Sequence, residues 1–288
     1  MADHHLNIDT VAIIESLSAH EKKTGKMLHD HLQAKGREAT YQSVETDAQF
    51  TAAIQEVERM CRSLGKKPAL HFEIHGNENG FGLSGGEFVP WARVRQDIIN
   101  LNFQLKNHLL VSMAVCEGTW LLSIMRATRT SPFNCLVSSQ AVIYEQDIER
   151  GFPAFYDALS AGDSLEEATR KLNLVQNNSH FDLTTTEEVF ANVFEKYFSE
   201  WCNPKAMDIR SKKISQQLTQ MKVTDRELKH KLVQLYRNTV TKEQEPMFEK
   251  YRAAFFMHDA YPENKAEFCP TYEELTTATG TPIGAGQK

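Results

Sequence analysis

Paired cysteines are missing from this sequence. Its five cysteines (Cys61, Cys116, Cys135, Cys202 and Cys269) are odd in number, widely scattered and never in a C-x-x-C spacing. Neither a disulfide framework nor a structural zinc site is signalled, and at least one thiol is left over for chemistry. No metal site is expected, since His29 and His31 diverge on a helix and no H-E-x-x-H occurs. Long apolar runs are missing too. None approaches the roughly 18 residues of a membrane span. The start, Met1-Ala2-Asp3-His4-His5, is polar where a secretory signal is basic and then apolar. The expectation is a soluble, cytoplasmic protein with no membrane partner. Glycine (14) and proline (9) are sparse, which argues against long disordered linkers. Nor is there an excess of positive charge. A net charge of -6 and a pI near 6.0 argue against broad adhesion to nucleic acid.

What is present is ordinary globular material: 288 residues, 41% of them hydrophobic, enough for one large domain or two modest ones. TVAIIESLS reads as a strand, and EKKTGKMLHDHLQAKG as a helix stopped by Gly36. ATYQSVE is a second strand; the helix after it has Asp47 as its expected cap and Gly65 as its end. PALHFEIHG is a third strand, followed by a glycine-rich turn, GNENGFGLSGG. A helix from Pro90 to about Asn107, a fourth strand (HLLVSMAVC), and a helix from about Thr119 come next. FNCLVSSQAVIYEQ holds one or two strands, and two more helices follow, the second opened by the capping box Ser164-x-x-Glu167. Such alternation predicts an α/β domain with a mostly parallel sheet covered on both faces.

From about residue 180 the strand signal stops. TTEEVFANVFEKYFSEWC sets Val189, Phe190, Val193, Phe194, Tyr197, Phe198 and Trp201 on one helical face behind the capping box Thr185-x-x-Glu188. Another helix is expected from Thr224-x-x-Glu227, with Pro262 ending the apolar stretch and a frayed tail from about Thr276. The division is therefore residues 1–179 as the α/β domain and 180–288 as a helical extension.

In parallel sheets, functional groups gather at the carboxyl ends of strands. His75, followed by Gly76, ends the third strand, and Cys116, followed by Glu117 and Gly118, ends the fourth. A histidine and a thiol on neighbouring strand ends can meet one substrate carbonyl, as nucleophilic acyl transfer requires. Gly76 and Gly118 leave room for close backbone approach, so the amides of Gly76 and Cys116 are candidate oxyanion-hole donors. The helix expected at Thr119 would direct its positive end at Cys116. A lone cysteine ending an apolar strand is usually a core residue. His71 and Cys135 are read as packed, and Glu73 is not assigned as a partner of His75 because even-spaced strand residues lie side by side.

HFEIHG, the loop with NGFGL, LLVSMAVCEG and the 41-residue separation of His75 from Cys116 resemble the histidine and cysteine blocks of the caspase-like clan of cysteine peptidases. AFYDALSAGDSLEEATRKLN resembles the helix pair of its bacterial separase-like branch, the CHAT-type domains. The resemblance covers residues 8 to 178. It implies a three-layer caspase-like fold and hydrolysis of a protein substrate, with Cys116 as nucleophile, His75 as general acid/base and no cofactor. It also implies a regulated effector of the defence or cell-death type, held quiet until a regulatory protein or ligand acts. Ala114-Val115 departs from the aspartate or glutamine-alanine that many relatives carry before the cysteine, a difference that bears on substrate preference. In such families the region matching QAVIYEQDIERGF helps form the pocket for the residue before the scissile bond. Acids there select arginine or lysine, which makes Glu145 and Asp147 candidate substrate-binding residues. Both also flank a helix start, where Asp147 would be a natural N-cap. Two other functions stay open: a catalytically silent fold serving as a protein-binding module, and nucleic-acid association through KAMDIRSKKISQQLTQMKVTDRELKHKLVQLYRN. The latter mixes cations with acids and lacks stacking aromatics, so a solvated helix face is favoured.

Overall fold

The computed structural model describes residues 4–176, 178–268 and 270–279. Strands β1 (Thr10–Ser16), β2 (Ala39–Ser43) and β3 (Pro68–Asn77) alternate with helices α1 (Thr24–Ala34) and α2 (Asp47–Leu64). A hairpin, β4 (Gly80–Gly82) and β5 (Phe88–Pro90), leads into α3 (Trp91–Gln104), β6 (Leu110–Ala114) and a 3₁₀ helix, Gly118–Ile124. Then come β7 (Cys135–Ser138), α4 (Glu145–Ser160), α5 (Leu165–Leu174) and β8 (Asp182–Thr185). The sheet order is β2-β1-β3-β6-β7-β8, parallel except for the last pair. Helical crossovers are what parallel pairing demands.

Strand alternation sends successive side chains to opposite layers. Ala69 of β3 faces α1, α4 and α5, whose Leu28, Phe152 and Leu165 close over Val11, Leu110 and Val137. Phe72 points the other way and packs on Phe50 of α2 with ring centroids 5.6 Å apart. The result is an α/β unit with a mostly parallel sheet and helices on both faces. It comprises the residues up to 126 and 130–186.

Several local expectations need correction. The α2 cap is Thr46, whose hydroxyl accepts from Gln49 N at 3.3 Å, and Asp47 is the first helical residue; Gly65 does end the helix, at φ 65°. The glycine-rich turn is paired backbone, because β4 continues β3 as an antiparallel hairpin. Strands do not stop at 180: β8 closes the sheet edge, and its partly exposed, polar DLTT carries no apolar signal because an edge strand buries little. The segment after Cys116 is a short 3₁₀ helix rather than an α-helix, so it has little dipole to offer the thiol.

The second unit comprises residues 127–129 and those from 187 on. Helix α6 (Thr186–Tyr197) runs into a π turn, Phe198–Cys202, followed by α7 (Pro204–Gln220), α8 (Arg226–Phe255), α9 (Asn264–Glu267) and α10 (Tyr272–Thr279). The stripe of α6 is narrower than its sequence suggests. Phe190, Phe194 and Phe198 pack on Phe248, Phe255 and Tyr272, while Val193 and Trp201 are exposed. Asp225 rather than Thr224 caps α8, accepting from Glu227 N at 2.8 Å. Thr276 lies inside α10, not in a frayed tail; the tail from 280 on, like Cys269, lies outside the described residues.

Candidate active site

β3 and β6 pair in register, His71 opposite Ser112 and Glu73 opposite Ala114. β6 ends at Ala114, two residues before Cys116, while β3 runs on past His75 to Asn77; His75 and Cys116 nevertheless line one cavity with Thr24 of α1 and Ile148 of α4. Glu117 adopts a left-handed backbone, φ 56°, and its N–H is held by Ala141 O at 3.1 Å. The chain therefore turns away directly after the thiol.

The imidazole of His75, 64% exposed, bonds through Nε2 to Oε1 of Glu21. Glu21 is itself fixed, since its Oε2 accepts from Ser18 N at 2.6 Å. Hydrogen bonding from Ser18, joined by His75 and opposed by burial, holds the Glu21 carboxyl down at about 2. The Cys116 sulfur accepts from Ile143 N at 3.5 Å. Among the described residues, no hydrogen bond joins His75 to Cys116. Cys116 is the partly exposed thiol of the four described; Cys61, Cys135 and Cys202 are buried. Burial pushes the Cys61 thiol up to about 12 and raises that of Cys202 as well.

His75, Cys116, Glu21 and Glu145 line one cavity of about 110 Å³ together with Thr24 and Ile143. That volume suits one side chain, not a drug-sized ligand. Lys22 joins the lining and bridges Glu149 and, at 3.7 Å, Glu145. Asp147 does not belong to this group, which corrects its assignment to substrate. It is buried at 1% exposure in the first turn of α4, and its Oδ2 accepts from Asn178 N and Ser179 N at 3.1 and 2.8 Å. Its position is N3 rather than the N-cap, which is Tyr144. Asp147→Ala should therefore cost about 1–3 kcal/mol in denaturant unfolding by orphaning those amides, with no change in substrate preference. Unchanged stability with altered preference would return Asp147 to the site.

The glycines serve the fold. A Cβ on Gly76 would lie 2.4 Å from Val115 Cγ1 and 3.0 Å from Cys116 O, and one on Gly118 would lie 2.9 Å from Met113 Cβ. The bare Gly76 lets β3 pass close to the chain at Val115 and Cys116, and the bare Gly118 lets the 3₁₀ turn fold back on Met113, so close packing accounts for both glycines without an oxyanion hole at the amides of Gly76 and Cys116. Gly76 is not among the described residues lining the cavity.

Beneath the cavity lies a buried polar chain. Thr24 Oγ1 donates to Glu73, whose Oε1 lies 3.0 Å from His71 Nε2; His71 Nδ1 meets Ser112 Oγ at 2.8 Å, and that hydroxyl meets Tyr156 OH at 2.6 Å. His71 is thus packed, as expected, and burial raises the Tyr156 phenol. The even-spaced pair His71 and Glu73 does bond, against the expectation that such neighbours stay apart. Glu73 faces inward to His71 and Thr24, and the carboxylate of His75 is Glu21, which reasoning from the strand alone missed. Among the described residues, no three His, Cys, Asp or Glu side chains converge to hold a metal ion, and no helix is long and apolar enough to cross a membrane. The chain matches no model of a known protein family and no curated protein sequence.

Proposed function

We propose that this chain is a caspase-like cysteine peptidase. Cys116 is the nucleophile, His75 the general acid/base and Glu21 the carboxylate that orients the imidazole. The observation that supports this reading is an imidazole near the end of β3 and a thiol just past the end of the neighbouring β6, both lining one cavity, with the imidazole held by a fixed carboxylate. With the Nε2–H donating its hydrogen bond to the Glu21 carboxylate, Nδ1 keeps its lone pair and takes the thiol proton as sulfur attacks the peptide carbonyl. The imidazolium then protonates the leaving amine, which departs and leaves a thioester. Water, deprotonated by His75, attacks the thioester, and the acid product and the thiol are released.

The cavity wall carries Glu21 and Glu145 against Lys22, and Lys22 is already engaged by Glu145 and Glu149. A residual negative charge in a small cavity favours a lysine or arginine before the scissile bond and repels acids. Profiling with a peptide library should show basic residues preferred over aspartate by about 100-fold, with Glu145→Gln reducing that ratio about tenfold. Preference for aspartate or a bulky apolar residue would remove the acidic pocket. The orientation of the imidazole to Glu21 and of the thiol to Ile143 N favours a second reading, a silent fold used as a protein-binding module. Absence of turnover across the whole library would support it.

A further inference from the structure

Helices α7 and α8 face each other with unusual stripes. On α7, Asp208, Ser211, Lys212 and Ser215 recur at the i, i+3, i+4, i+7 spacing. On α8, Arg226, Lys229, His230, Val233 and Arg237 continue the same period. In paired helices this spacing normally builds an apolar seam. Here the stripes enclose a cleft of about 390 Å³, with Val233 the sole apolar residue among the described ones lining it.

The charge there is unbalanced. Asp208 is bound by Arg237 at 2.7 Å, and Lys229 reaches the Thr219 hydroxyl at 3.1 Å. Among the described residues, no carboxylate pairs with Lys212, Arg226 or Lys229. The Ser211 hydroxyl, on a residue only 7% exposed, has no hydrogen-bond partner among them either. Three cations with no carboxylate partner among the described residues and a buried hydroxyl unsatisfied among them, in one concave site on a chain of net charge -6, call for an anion with several oxygens. No aromatic platform lines the cleft, so stacked bases have nothing to rest on.

We propose that the cleft between α7 and α8 binds a compact oligophosphate anion, of the pyrophosphate or triphosphate class, through Lys212, Arg226 and Lys229. The proposal stands independently of the peptidase reading. The test is calorimetric titration of the full chain with sodium tripolyphosphate at low and high salt. Saturable binding that weakens with salt is expected. Lys212→Glu and Arg226→Glu should each weaken it at least about tenfold. Lys231→Glu, which alters a cation paired with Glu227 at 2.7 Å outside the cleft lining, should change it less than about twofold. If either reversal lowers the helical circular dichroism signal, Lys212→Gln and Arg226→Gln take its place. No saturable binding, or equal loss in the Lys231 variant, overturns the proposal. So does tighter binding of an oligothymidylate through the same residues, which would make the ligand nucleic acid.

Discussion

Cys116→Ala is expected to lower kcat/KM for peptide hydrolysis by about 10⁴-fold or more, to the uncatalysed background, while the chain stays folded. The thiol is only partly buried, at the rim of the core, and makes one weak bond to Ile143 N. Losing one sulfur atom there should cost no more than about 1 kcal/mol of stability, whereas the nucleophile is lost entirely. His75→Ala should be as severe. Because the two side chains act on one proton transfer, the double variant should be no slower than the worse single variant. A double variant much slower than both would show that the residues do not share a step. An unfolded Cys116→Ala chain would make the thiol a structural residue.

Glu21→Gln should lower kcat by about 100-fold with KM nearly unchanged. The glutamine retains the shape but removes the charge that fixes the imidazole and stabilises its protonated form. A rise in KM with kcat intact would instead make Glu21 a substrate contact. The pH dependence follows from the direction of its shift. A carboxyl lowered from 4.5 to about 2 by folding adds stability that is fully present above its unfolded value and lost as pH falls from there toward about 2. Glu21 therefore stays ionised across the range from pH 5 to 8. Any loss of activity within that range belongs to other groups, and the Glu21→Gln defect should be nearly constant across it. A defect that disappears between pH 5 and 8 would contradict this assignment.

β3 and β6 were legible as largely apolar runs, but their ends were not: β3 continues past His75 to Asn77 and β6 stops at Ala114, short of Cys116. Glu21 was not legible. It lies in the connection between β1 and α1, 54 residues from His75, and only the stacking of β1 beside β3 brings it to the imidazole. Asp147 misled for the opposite reason: its place beside a plausible pocket loop was visible, but helical phase turns it inward to Asn178 and Ser179. The edge strand β8 was missed because DLTT buries too little to show a pattern. The cations of α7 and α8 were visible as a mixed charge run; their convergence needs the two helices paired, since each stripe alone looks like a solvated face.

If Cys116 is the reactive thiol of a peptidase site, a peptidyl electrophile directed at thiols will find it. After brief exposure of the native full chain at neutral pH, peptide mapping should find the adduct on Cys116. Labelling should be strongly slowed by His75→Ala and outcompeted by excess peptide substrate. Cys61 and Cys202, whose thiols burial holds protonated, should remain unmodified. Adducts on either of them with Cys116 untouched would contradict the account.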